Sequence, residues 1–148
     1  MSLSTKIMDS MKEAMKAKDT VALEALRAVK SELLLAQTSG SADELTEEDE
    51  IKILQKLVKQ RKDSANIFAE QGRNDLAEPE LTQVAVIEKF LPAQMTETEV
   101  EAAVAKIIAD GGFSGMASMG QVMGIASKQL GGNSDGKTIS TIVKKLLV

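Results

Sequence analysis

Glycine and proline are spread along this chain so unevenly that they divide it in two. Only Gly40 and Gly72 precede Pro92, whereas Gly111, Gly112, Gly115, Gly120, Gly124, Gly131, Gly132 and Gly136 follow it. These residues are the strongest interruptions of regular structure. Their pattern predicts long helices before Pro92 and short helices with tight turns after it. The 148 residues suffice for one compact domain or two small ones. The expectation is an N-terminal multihelical domain of about four helices over residues 1–92, then a three-helix domain over residues 93–148. The joint falls at Phe90, Leu91, Pro92 and Ala93, because a residue before proline is steered out of the helical region.

Apolar spacing supports an all-α fold. Leu3, Ile7, Met11 and Ala14 recur three and four apart and form one stripe ending near Lys18. Asp19 or Thr20 is placed to cap a second helix, with Leu23, Leu26, Val29, Leu33 and Leu34 on one face. Residues 37–42 read as a polar loop around Gly40. Thr46 and Asp49 have capping-box spacing and open the longest helix, of about 25 residues, with Leu54, Leu57, Val58, Ala65 and Phe68 inward and Gly72 at its end. Another helical stretch lies between Asn74 and Glu88, with Val84, Ile87 and Leu91 on one side. Pro79 either starts that helix or bends one begun near Asn74. Beyond Pro92, Thr96 with Glu99 and Ser118 with Gln121 read as capping boxes, and Ser134 or Asp135 as a third cap. The apolar sets are Val100, Val104, Ile107 and Ile108, then Val122, Met123, Ile125, Ala126 and Leu130, then Ile139, Ile142, Val143 and Leu146. No stretch alternates as a strand would.

Composition removes several chemistries. The chain has no Cys and no His, which excludes disulfides, Cys/His zinc sites and histidine acid–base catalysis. Three Phe with no Trp or Tyr are too few for a platform of stacked bases. The glycine-rich runs lack the Lys-Ser/Thr ending of a phosphate loop and read as helix ends. The acids Glu47, Glu48, Asp49 and Glu50 suit a helix start, where the backbone dipole favours negative charge. No metal or cofactor is expected. The polar N-terminus and the lack of a long apolar run predict a cytoplasmic protein with no membrane contact.

The cations are more informative. Arg61 points into the apolar stripe of the longest helix, and Lys30 does so on the second. Such a charge must extend to water, pair, or face a groove. One reading pairs Arg61 with Asp75 or Glu78; the other has Arg27, Lys30 and Arg61 lining a basic groove. Lys52, Lys56 and Lys59, extended by Lys62, make a row that reads either as a solvated face or as a nucleic-acid contact. Charge balance argues against a free-standing nucleic-acid binder, and DNA is not expected: residues 1–92 hold 13 basic and 17 acidic side chains, residues 93–148 five of each. Met8, Met11 and Met15, and later Met116, Met119 and Met123, read as core filling or as an adaptable contact surface.

Several segments together resemble the YqeY family of small bacterial proteins. They are Leu26-Arg27, the run from Lys59 to Ser64, the run from Gly72 to Ala77, and Phe90-Leu91-Pro92-Ala93-Gln94-Met95. Met119 to Met123, Asp135-Gly136-Lys137 and Ile142-Val143 extend the likeness through the second half. Pro79 falls where the family pattern continues a helix, and Phe90 stands where Tyr is common. The family is similar to the tail of the B subunit of glutamyl/aspartyl-tRNA amidotransferase. The resemblance implies a non-catalytic accessory module that binds tRNA or an amidotransferase-type complex handling it. Its candidate surface is Arg27, Lys30, Lys52, Lys56, Lys59, Arg61, Lys62 and Arg73, with Phe90, Leu91, Pro92 and Gln94 as a structural junction. It supplies no catalytic residue. Two alternatives stand: a carbon–nitrogen ligase using glutamine as amido donor, and a protein-interaction module without nucleic acid.

Overall fold

The computed structural model describes residues 2–40 and 44–148. The described residues are all-α, with seven α-helices and no strand. The chain divides into two compact units, Met1–Leu91 and Pro92–Val148.

The first unit contains α1 (Leu3–Lys16), α2 (Thr20–Ser39), α3 (Glu47–Glu70) and α4 (Asn74–Glu88). Its core joins Ile7 and Ala14 of α1 to Leu26, Val29 and Leu33 of α2, Leu54, Leu57 and Val58 of α3, and Val84 and Ile87 of α4. Most expected stripe positions are buried in or partly buried against this core, but Phe68 is half-buried outside it, and one position is fully out. Leu34 is exposed, because the buried arc of α2 is completed by Ala22, Ala25 and Leu33 and leaves Leu34 at its edge. The expected polar loop also starts too early. Residues 37–39 are helical and α2 runs to Ser39, where the Thr38 hydroxyl donates to the carbonyl oxygens of Leu34 and Leu35. Of that loop, residues 41 and 42 lie outside the described residues.

Local caps set the helix starts. Asp19, not Thr20, caps α2 by accepting from the Ala22 N–H at 3.0 Å. The capping box of α3 is reciprocal: Asp49 N–H donates to Thr46 Oγ1, and Thr46 N–H to Asp49 Oδ2, both at 3.1 Å. Helix α3 ends in a Schellman turn: Arg73 N–H donates to Phe68 O at 2.8 Å and Gly72 N–H to Ala69 O at 3.0 Å, with Gly72 at φ 72°. The same bonds close α1, from Asp19 to Ala14 O and from Lys18 to Met15 O, but the left-handed position is a lysine, Lys18 at φ 55°. Pro79 lies inside α4, which starts at Asn74. The proline removes one ladder donor beyond the first turn without stopping the helix.

The second unit contains α5 (Glu97–Gly111), the 3₁₀ turn Met116–Ser118, α6 (Met119–Leu130) and α7 (Gly136–Leu147). Its core is aliphatic: Val100, Val104 and Ile107 meet Val122, Ala126 and Leu130, and Ile139, Ile142 and Val143. Thr96 and Glu99 form a second reciprocal box, and left-handed Gly112 ends α5 at φ 64°. Ser118 does not cap α6. It already has helical backbone angles as the last residue of the 3₁₀ turn, and its hydroxyl donates back to Ser114 O at 3.1 Å. Asp135, not Ser134, caps α7 through a 2.7 Å bond from the Thr138 N–H.

Candidate binding surfaces

Arg61 is half-buried on α3, and both assigned bonds are to neutral groups. Its Nε donates to Gln83 Oε1 on α4 at 2.8 Å, and its Nη1 donates to Leu57 O one turn back at 3.1 Å. Gln83 Nε2 in turn donates to Glu24 Oε2 on α2 at 3.4 Å. The guanidinium therefore reaches a carboxylate only through an intervening amide, and the relay ties three helices together. Neither Asp75 nor Glu78 serves as the expected partner. Asp75 is taken by Arg73, whose Nε and Nη2 donate to its two oxygens at 3.1 and 3.0 Å. This fork draws the Asp75 carboxyl below its usual range and raises the Arg73 guanidinium. Sequence reasoning missed Gln83. Its signal was a polar side chain one turn before buried Ile87, on the α4 face that meets α3.

The structure does not gather the other cations around Arg61. Arg27 and Lys30 are exposed on α2. Lys30 lines a groove of about 110 Å³ whose wall includes Ser4, Ile7 and Met8 of α1. On α3, Lys52, Lys56 and Lys59 are exposed along the solvent face. Lys52 pairs with Glu48 at 3.2 Å, and Lys62 reaches Glu88 of α4 at 3.3 Å. Among the described residues Lys56 and Lys59 carry no ion pair.

The junction residues behave differently from one another. Phe90 and Leu91 pack partly buried against the core of the first unit. Gln94 belongs to the second, where its Nε2 donates to Pro92 O at 2.7 Å and Gly132 O at 3.1 Å.

Two larger hollows lie in the first unit. One, of about 500 Å³, is lined by residues including Ser2, Gln37, Leu45 and Glu50. Burial there, then repulsion from Glu47, pushes the Glu50 carboxyl up against a smaller opposing pull from Lys6. The other, of about 390 Å³, has Ala14, Leu26 and Phe90 at its base and Asp9, Glu13 and Asp19 around it. The remaining displaced carboxyls, Asp49 and Glu99, are held low by hydrogen bonds from their capping threonines. Among the described residues, no group of three or more Asp or Glu side chains is placed to hold a metal. No described helix is long and apolar enough to cross a membrane.

This arrangement can be compared with known proteins. A family model described as Yqey-like protein matches residues 4–147, through both helical units. The chain belongs to the YqeY-like family. Two fungal relatives are each named altered inheritance of mitochondria protein 41, mitochondrial. The one from Clavispora lusitaniae is 35% identical over 91 residues, covering 62% of this chain and 52% of the relative. The one from Kluyveromyces lactis is 33% identical over 103 residues, covering 68% and 55%. This YqeY-like chain thus spans about half the length of the curated relatives it matches. Both are named mitochondrial, so neither name supports the cytoplasmic expectation.

Proposed function

We propose that this YqeY-like chain is a non-catalytic accessory module that engages tRNA or a complex handling tRNA. The observation that carries this reading is the pair Lys56 and Lys59, exposed on the solvent face of α3 and not neutralised by a neighbouring carboxylate. Free cations at this spacing suit successive phosphates, whereas a fully paired row would have little left to offer. The family match through both units adds support from the likeness to the amidotransferase tail. Of the four displaced carboxyls, Asp49, Asp75 and Glu99 are lowered by local partners, two in helix caps and one in a surface fork, and only Glu50 is raised, by burial and Glu47.

A titration with tRNA at two salt concentrations tests the reading. Binding is expected to weaken as salt rises, and replacing Lys56 and Lys59 together by Ala to lower affinity several-fold and flatten the salt dependence. Absence of binding at low salt rejects a direct tRNA contact. Ammonia release from glutamine with ATP and aminoacyl-tRNA by the isolated chain rejects the non-catalytic role.

A further inference from the structure

The α1–α2 hairpin carries an outer face apart from the Lys56 and Lys59 pair on which the tRNA reading rests. Met8, Met15 and Leu34 remain 49%, 53% and 58% exposed. With successive residues about 100° apart, Lys12 and Met15 lie within about 40° of Met8 on α1. By the same rule, Arg27 and Leu34 lie within about 60° of Lys30 on α2. Met8, Lys30 and Leu34 line one groove of about 110 Å³, a size that suits a single aliphatic side chain and is somewhat below the ~150 Å³ that admits benzene.

Among the described residues, the cations on this side of the hairpin, Lys12, Arg27 and Lys30, have no carboxylate partner, whereas on the other flank Lys16 pairs with Glu13. The acids Asp9, Glu13 and Asp19 instead border the separate hollow on the other flank of α1. Glu24 of α2 faces Gln83 on α4. In a chain of net charge -4, this face is locally basic around apolar side chains.

We infer that the outer face of the α1–α2 hairpin is a docking surface for an acidic amphipathic helix of a partner protein. Its apolar anchor enters the groove between Met8 and Leu34, and its carboxylates meet Lys12, Arg27 and Lys30. Charge complementarity selects this occupant. Apolar residues between the cations favour a helix with an apolar stripe, since a phosphate backbone gains nothing from methionine and leucine. Flexible methionine side chains suit a helical partner surface.

The test uses the full chain and two synthetic helices with the same leucines at i, i+3, i+4 and i+7, one flanked by Glu and the other by Lys, read by fluorescence anisotropy. The acidic helix is expected to bind saturably and the basic one weakly. Charge reversal by Arg27→Glu with Lys30→Glu should weaken the acidic helix about tenfold and strengthen the basic one. Leu34→Ser should weaken the acidic helix without altering the thermal melt, and Lys56→Ala with Lys59→Ala should leave it unchanged while lowering tRNA affinity. Equal binding of both helices, or binding of neither, overturns the inference. So does loss of tRNA binding in the Arg27/Lys30 variant with peptide affinity intact, which would make this a nucleic-acid face.

Discussion

The two units hold their helices in register with a different balance of polar contacts. In the first, polar side chains on helix flanks join helices directly: Arg61 to Gln83 to Glu24, and Lys62 to Glu88. In the second, longer-range polar bonds concentrate where the entry segment meets the α6–α7 loop. Met95 N–H donates to Asn133 O at 2.8 Å, Asn133 Nδ2 to Ala93 O at 2.9 Å, and Gln94 Nε2 to Gly132 O at 3.1 Å. Long helices offer flanks on which a side chain can span to a neighbour. Short helices have less flank to spare: one flank pair, Lys145 of α7 with Glu101 of α5 at 3.4 Å, joins them, and a loop supplies the rest of the longer-range polar alignment. The lesson is that the first unit spends surface side chains on structure, so a cation there is informative when it is left unpaired.

The sharpest way to break the comparison is to empty each core in turn. Ile139→Ala in the second unit and Ile87→Ala in the first each remove a fully buried side chain and are expected to cost about 2–5 kcal/mol. Hydrogen exchange should show protection lost in α5–α7 for Ile139→Ala, with α1–α4 still protected, and the reverse for Ile87→Ala. Protection lost throughout by either variant would mean that the units unfold as one.

A smaller effect separates turns of the same design. Lys18 occupies the left-handed position that glycine holds at Gly72 and Gly112. Lys18→Gly relieves a steric cost of about 1 kcal/mol, partly offset by the chain entropy of glycine. A modest rise in the denaturation midpoint is expected, whereas Gly112→Ala lowers it.

The relay can be weighed by a double-mutant cycle. Arg61→Met leaves Gln83 Oε1 without its assigned donor and should cost about 1 kcal/mol, with less than additive loss when Gln83→Met is added. Full additivity in urea unfolding would show that the relay is not coupled.

The smallest effects concern pH. The Glu99 carboxyl is held low in the fold by the Thr96 cap, so its contribution is present above its unfolded pKa. It is lost as pH falls through the lower folded value, because the unfolded chain takes up the proton first. Thr96→Ala should flatten the acid limb of the stability curve. Glu50 has the opposite sign: its raised carboxyl opposes folding when ionised. Glu50→Gln should be slightly more stable at neutral pH, and that gain should vanish in acid. A gain that persists in acid would assign it to something other than charge.

Much of this arrangement was readable along the chain because its causes are local. The reciprocal boxes at Thr46 and Thr96 need only a three-residue spacing, and the buried stripes follow from helical periodicity. Ser118 shows the limit of that reading. Its spacing to Gln121 matches a box, but a preceding 3₁₀ turn places its backbone in the helical region and sends its hydroxyl to Ser114. Lys18 shows another limit, since a left-handed turn without glycine leaves no compositional sign.

Helix type, helix starts and inward faces follow from interactions within a few residues, and the amino-acid order alone settles most of them. Which cations remain free follows partly from neighbours along the chain, as in the Arg73–Asp75 fork and the Lys52–Glu48 pair, and partly from packing between distant segments. Arg61 is engaged because α4 brings Gln83 beside it, and Asp75 is unavailable because Arg73 holds it. Lys30 lines a groove because α1 folds back along α2. Where the partner lies on another helix, a long side chain takes the group that three-dimensional packing brings within about 3 Å, and spacing along the chain does not name it.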